Sequence, residues 1–283
     1  MEKMTTQMIR ANGLNLNVSL AGPRDGSPVI LLHGFPDASF GWDAQIEALA
    51  QAGFFVIAPD QRGYNLSDKP KGFDNYRVEL LVADILALAD ALGVPQFNLA
   101  GHDWGAMVSW SLVENHPERV KRLAILNVPH PWVMNQYLKK NWRQRIRSWY
   151  IFFFQLPVLP ELSLQAFNWR TPAALMCQSF ATAELQRYKT AWSQPGAMTA
   201  MINWYRSLFR RPGKTVKPEK IQVPTLMIWG KLDPHLMWQM APESMALCAN
   251  GRLELIETAT HWVHQDKPAI VNRLLIDHFT ARK

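Results

Sequence analysis

Apolar and polar positions follow two rhythms along the first 130 residues. Residues 14–22 (LNLNVSLAG) place an apolar side chain at nearly every second position, the period of a strand with one buried face. Residues 28–34 (PVILLHG), 54–60 (FFVIAPD), 97–101 (FNLAG) and 120–127 (VKRLAILN) are short apolar runs that stop at Gly, Asp or Asn. Such runs read as strands buried on both faces. Between them, 42–53, 76–93 and 105–117 repeat apolar residues at spacings of three and four, and the first two close on glycine, as helices do. Buried strands that alternate with helices predict a mostly parallel sheet covered on both sides.

The rhythm breaks near Pro129. From 132 to 215 the pattern is helical, aromatic and interrupted by prolines, with no run that reads as a strand. Strand patterns return at 223–230 and 252–258, and a closing helix is expected over 266–281. The expectation is an α/β core made of residues 1–131 and 216–283, with a helical cap inserted at 132–215. Function in such sheets collects at the carboxyl ends of the strands. The turns near 33, 60, 103, 233 and 261 would open on that edge, under the insertion.

The chain has 283 residues, 48% of them hydrophobic, enough for a core that needs no disulfide. Its two cysteines, Cys177 and Cys248, lie far apart and without metal-ligand spacing, which suggests reduced thiols in a cytoplasmic protein. The N-terminal stretch lacks the apolar segment of a signal peptide, and the longest apolar run, 149–154, is too short to cross a bilayer, so no membrane insertion is expected. The net charge of +7 concentrates in KKNWRQRIR (139–147) and RRPGKTVKPEK (210–220). These runs read as a solvated helix face and a charged linker; no nucleic-acid motif accompanies them, and no nucleic-acid partner is expected. Trp132, Trp142, Phe152, Phe153, Phe167, Trp192 and Trp204 give the insertion an aromatic character that fits an apolar pocket.

The chemistry starts at GHDWG (101–105), which ends a strand and opens a helix. It has the outline of the G-x-S-x-G turn of hydrolases, with Asp103 where serine would stand. Gly101 and Gly105 remove bulk at a tight corner, and the amides of the following helix favour the ionised carboxylate. A carboxylate can act as a covalent nucleophile. Against an ester or amide it would form an energetic mixed anhydride, but at a saturated carbon with a good leaving group it forms an ordinary ester. A strained epoxide oxygen or a halide fits. The plainer alternative is that Asp103 merely caps the helix.

Cleaving such an ester needs a base and a group to orient it. ATHWVHQDKP (259–268) supplies His261 beyond one strand, and WGKLDPHL (229–236) supplies Asp233 beyond another. His261 would activate water while Asp233 holds its tautomer. His264 is a rival base, better suited to a supporting or surface position, and His235 reads as a loop residue near the acid. LLHGFPD (31–37) would form an oxyanion site from the backbone N–H groups of Phe35 and Trp104; Pro36 is a candidate for a cis bond, and His33 reads as structural.

Taken together, HGFPD, DQRGYNLSDKP (60–70), GHDWG, PERV (117–120), LNVPHP (126–131), FFFQLP (152–157) and the H-W-V at 261–263 resemble the soluble epoxide hydrolases of the α/β-hydrolase fold over nearly the whole chain. HDWG alone is shared with haloalkane dehalogenases. The resemblance implies the order nucleophile, acid, histidine, no cofactor and no metal, and an epoxide and water as the reaction partners. It also implies two cap tyrosines that donate to the epoxide oxygen: Tyr150 in RSWYIFFFQLP and Tyr205 in MINWYRSLF, with Tyr137 and Tyr188 as bystanders. Three positions depart from the family pattern: Thr260 before the histidine, Asn65 in the turn after 60, and Ala106. Thr260 is expected to shift the His261 loop. The implied activity is hydrolysis of epoxides to vicinal diols through an aspartyl ester; the aromatic insertion favours apolar epoxides, aryl-bearing ones among them. A haloalkane or haloacid dehalogenase using the same Asp103, and a non-catalytic ligand-binding member of the fold, stand as alternatives. A homodimer is left open.

Overall fold

The computed structural model describes residues 4–176, 182–211 and 219–281. Cys177, most of the basic run at 210–220 and the first three residues lie outside them. Eight strands form one sheet: β1 (Thr5–Ala11), β2 (Leu14–Ala21), β3 (Ser27–Leu32), β4 (Phe54–Pro59), β5 (Phe97–His102), β6 (Val120–Leu126), β7 (Thr225–Gly230) and β8 (Gly251–Ile256). Their order is β1-β2-β4-β3-β5-β6-β7-β8. β2 runs antiparallel to both its neighbours, and every other pair from β4 to β8 is parallel.

Successive residues of a strand point to opposite faces, and β3 feeds two cores this way. Ile30 and Leu32 join a core shared with α2 (Val78–Ala91), α3 (Trp104–Asn115) and the insertion. Val29 and Leu31 join a second core built with α1 (Asp43–Gln51) and the C-terminal helix (Pro268–Thr280). The apolar runs of β4, β5 and β7 are buried along their whole length, as strands covered on both faces require.

The sequence pattern did not reveal β1. Six of its seven residues lie on the solvent side or are only partly buried, so no apolar period is written there. Its signal is the turn instead: Asn12 and Gly13 both take positive φ, 47° and 77°, which a two-residue hairpin turn needs.

Between β6 and β7, apart from an isolated parallel bridge of Ile221 to Cys248, the regular structure of the described chain is helical: α4 (Pro131–Lys140), α5 (Trp142–Arg147), α6 (Trp149–Phe153), α7 (Leu159–Leu175), α8 (Thr182–Trp192) and α9 (Ala197–Arg210). Residues 166–169 interrupt α7 with non-helical dihedrals. After β7 come α10 (Met240–Met245), α11 (Val263–Asp266) and α12, the helix Pro268–Thr280. Among the described residues, no helix is long and apolar enough to cross a membrane.

Candidate active site

Asp103 sits between β5 and α3 with φ 51° and ψ −122°, a conformation that costs a non-glycine residue about 1–3 kcal/mol and is held by its surroundings. The glycines show how. A Cβ on Gly105 would strike the carbonyl of Leu32, one on Gly101 would strike Ser109 and Gly105, and one on Gly34 would strike Asp103 itself. The corner closes only because these three positions lack side chains. The Asp103 side chain does not cap α3. Its Oδ1 accepts the Phe35 N–H at 2.7 Å, so the simple capping reading fails.

His261 follows β8, and Asp233 follows β7. His261 Nδ1 and Asp233 Oδ2 lie 2.6 Å apart, and His261 Nε2 faces Asp103 Oδ2 at 3.4 Å. Asp233 is saturated with donors. Its Oδ1 accepts the backbone N–H of His235 (2.7 Å) and Leu236 (2.8 Å), and its Oδ2 also accepts Asn127 Nδ2 at 2.9 Å. Burial would raise the Asp233 pKa, but the charge and hydrogen bond of His261, helped by His235 and by the Asn127 hydrogen bond, hold it below the usual value. Burial would lower the His261 pKa; Asp233 and Asp103 overcome it and push it up to about 10.

Asn127 was missed by sequence reasoning. It takes φ 53°, its Oδ1 accepts the N–H of Gly230, and its Nδ2 reaches Asp233, so it ties β6 to the turn carrying the acid. Asparagine tolerates the left-handed region, and its place directly after a buried strand was the available signal. Thr260, the position expected to shift the histidine loop, stands next to a His261 that reaches Asp233 at 2.6 Å. The Thr260 N–H and hydroxyl both donate to Asp266 Oδ2, at 2.6 and 2.7 Å, which fastens the loop. Asn65 also takes a positive φ, 41°, and donates to Asp60 Oδ2 at 2.8 Å.

Phe35 precedes Pro36 through a cis bond. His33 is buried, accepts Gln61 N–H at 3.0 Å and faces the Gly34 carbonyl, a structural placement. His264 is buried, not on the surface. Its ring lies 4.6 Å from that of His102, and its Nε2 is 3.9 Å from Asp37. Burial lowers its pKa, and no contact joins it to Asp103. Asp37, His102 and His264 form the one metal-compatible cluster among the described residues, with ligand atoms within 4.8 Å of one another. That spread exceeds the spacing around a bound zinc, and Asp37 already accepts Ala38 N–H, Tyr188 Oη and Gln265 Nε2.

α6 and α9 bring Tyr150 and Tyr205 over Asp103, with ring centroids 5.9 Å apart and an interplanar angle of 80°. Both line a cavity of about 30 Å³ with Asp103, His261, Phe35, Phe154, His235 and Trp262. Burial first, then the Asp103 charge, raises the pKa of each phenol. The bystanders stay away: Tyr137 donates to Glu243 and Tyr188 to Asp37. His235, read as a loop residue, faces the cavity with its ring 5.5 Å from His261.

The cap aromatics divide by place. Trp142 and Phe167 are 60% and 80% exposed, and Phe152, 57% exposed, lines the outermost cavity described below, while Trp192 and Trp204 are buried as braces that donate to the carbonyls of Pro36 and Arg62. The aromatic wall of the small cavity comes from Phe35, Phe154 and Trp262 instead. A second cavity of about 110 Å³ shares Asp103, Tyr150 and Tyr205 with the first, and a third of about 420 Å³ shares Met107, Met134, Leu138, Ile151 and Leu208 with the second. The three form one apolar path leading away from the carboxylate.

Arg206 was also missed as a brace. Its guanidinium forks onto Glu161 at 2.7 and 3.0 Å and donates to the carbonyls of Phe154 and Leu156. It therefore ties the helix bearing Tyr205 to the chain just after the helix bearing Tyr150.

A strained carboxylate elbow, a histidine–aspartate pair beyond later strands, and this sheet order together define a class. Residues 27–268 match the model of the alpha/beta hydrolase fold family, and the chain belongs to that family. It is 34% identical to Epoxide hydrolase 4 of Homo sapiens over 94% of this chain and 76% of that one. It is 43% identical to the AB hydrolase superfamily protein YfhM of Bacillus subtilis, over 98% and 99% of the two chains. Among solved structures, an epoxide hydrolase from Bacillus megaterium in complex with an inhibitor superposes with a TM-score of 0.90 at 29% identity, covering 97% of this chain and all of that one.

Proposed function

We propose that this chain is an epoxide hydrolase that opens apolar epoxides to vicinal diols through a covalent ester on Asp103, with residues 132–215 acting as the cap. The observation that carries the reading is the convergence of Asp103, His261, Tyr150 and Tyr205 on one small cavity, with Asp233 directly behind the histidine.

A carboxylate oxygen of Asp103 attacks a ring carbon from behind. The C–O bond breaks, and Tyr150 or Tyr205 gives its proton to the leaving oxygen. The raised phenol pKa keeps that proton in place until alkoxide character develops, and it makes the resulting phenolate eager to recover a proton. Esterification also removes the Asp103 charge, one of the two that hold a proton on His261. Burial then favours neutral imidazole against the Asp233 charge that remains, and the His261 proton passes through water to the phenolate, so the ester itself prepares the base. His261 Nε2 takes a proton from water, and the hydroxide attacks the ester carbonyl. The N–H groups of Phe35 and Trp104 stabilise the oxyanion; the former already grips Asp103. Collapse returns Asp103 and releases the diol, leaving His261 protonated between Asp103 and Asp233 as at the start.

The apolar path suits a substrate with one extended arm reaching toward Met107, Leu138 and Leu208. No step calls on a cofactor or metal. A cytoplasmic location fits this reading. The test is a panel of aliphatic and aryl terminal epoxides beside the matching chloroalkanes. Diol formation that disappears in Asp103→Ala supports the reading. Chloride release without diol formation makes the chain a dehalogenase, and saturable ligand binding without turnover makes it a binding protein.

A further inference from the structure

The helical insertion turns an apolar face away from the core. Across α5 and α6, Trp142, Ile146, Trp149 and Phe152 recur at spacings of four, three and three, and each is 57–60% exposed. Only Ser148 separates the two helices, at φ −93° and ψ 13°, so the winding nearly continues. Phe209 of α9 meets Phe152 edge-on at 5.5 Å and is itself half exposed. Large apolar side chains gathered in this way mark an interaction surface more often than chance exposure.

The charge around them has one sign. No acidic residue occurs between Glu118 and Glu161. Lys139, Lys140, Arg143 and Arg145 are exposed beside the aromatics, and among the described residues none of the four pairs with a carboxylate. Arg143 lies over the Trp142 ring at 5.6 Å. Arg145, Phe152 and Phe209 also line the 420 Å³ cavity, so the apolar path to Asp103 reaches the surface within this face.

We propose that this face docks on an anionic lipid bilayer. Tryptophans with basic side chains that extend their heads toward water form the composition of an interfacial helix face, and each cation near a negative surface adds to binding. A twofold contact with a second copy would bring the same cations against themselves. Docked, the cavity mouth faces the lipid, where apolar substrates concentrate; that consequence, unlike the docking, rests on the function proposed above.

The experiment is sedimentation of the full chain with vesicles of phosphatidylcholine, alone or with one part in three phosphatidylglycerol, alongside light scattering for oligomeric state. The expected result is binding at least tenfold tighter to the anionic vesicles, lost at about 0.5 M salt. Trp142→Ser with Trp149→Ser should weaken it at least tenfold, and Lys139→Glu with Arg143→Glu should do so independently, a unit of charge near the surface being worth about fivefold. Absence of binding by the wild-type chain overturns the proposal, as does equal binding to both vesicles that charge reversal leaves unchanged. A dimer that the tryptophan variants convert to monomer also overturns it. None of these readouts depends on epoxide turnover, so failure here and failure of the catalytic reading are separable.

Discussion

Replacing Asp233 by asparagine should separate the two halves of the reaction. The carboxylate accepts four donors: the backbone N–H groups of His235 and Leu236 on Oδ1, and Asn127 Nδ2 and His261 on Oδ2. An amide offers one oxygen and one NH2 group. The two backbone donors are fixed, so the oxygen stays with them and the NH2 turns toward Asn127 and His261. Asn127 cannot reverse its amide without losing the Gly230 N–H on its own oxygen. The imidazole must therefore accept through Nδ1 and carry its proton on Nε2, the atom that should deprotonate water. In a serine protease triad, the same loss of the productive tautomer lowers turnover about 10⁴-fold, or about 5 kcal/mol at roughly 1.36 per decade. Ring opening needs only Asp103 and the tyrosines, so it should survive. Rapid-quench mixing with excess epoxide, followed by intact mass measurement, should show about one equivalent of ester forming and then persisting. Turnover within tenfold of the wild type, or a stalled enzyme with no added mass, would refute this reasoning.

Three further outcomes follow from the same geometry. Tyr150→Phe and Tyr205→Phe should each slow ester formation about 10²-fold or more by removing a proton donor without slowing hydrolysis of ester already formed; stopped-flow traces that show equal slowing of both phases would assign the tyrosines another role. His261, raised to about 10 in the folded chain, contributes stability that is fully present below its unfolded pKa near 6.5 and is lost as pH rises through about 10; the alkaline decline in Tm should flatten in His261→Gln, and an unchanged decline contradicts the assignment. Arg206→Met leaves the largely buried Glu161 without its partner and should destabilise the fold by about 3 kcal/mol or more; denaturant unfolding measures this, and a loss below about 1 kcal/mol would show that the brace carries little.

The sheet was legible because burial writes itself into composition. Runs such as FFVIAP at 54–59 have no solvent face, so every position is apolar and the strand announces itself. The elbow was legible because close approach admits only glycine at 101 and 105, and because a carboxylate at 103 restricts the chemistry. β1 was not legible, since a strand exposed along most of its length has no reason to alternate. The aromatic insertion misled in the opposite way. Sequence shows that Trp142, Phe152, Trp192 and Trp204 are apolar, but whether each braces the core, lines a cavity or faces water depends on how short helices stack, and that is decided by contacts distant in the chain. Asn127 and Arg206 escaped for a related reason: each acts through hydrogen bonds to residues 45 to 106 positions away.

The central claim is that the new oxygen of the diol comes from Asp103 and only later from water. One turnover in 18O-water, with enzyme in excess over epoxide, tests it most directly. The account predicts unlabelled diol, with the heavy oxygen recovered in the peptide carrying Asp103. Fully labelled diol from that first turnover, with an unlabelled peptide, would contradict it.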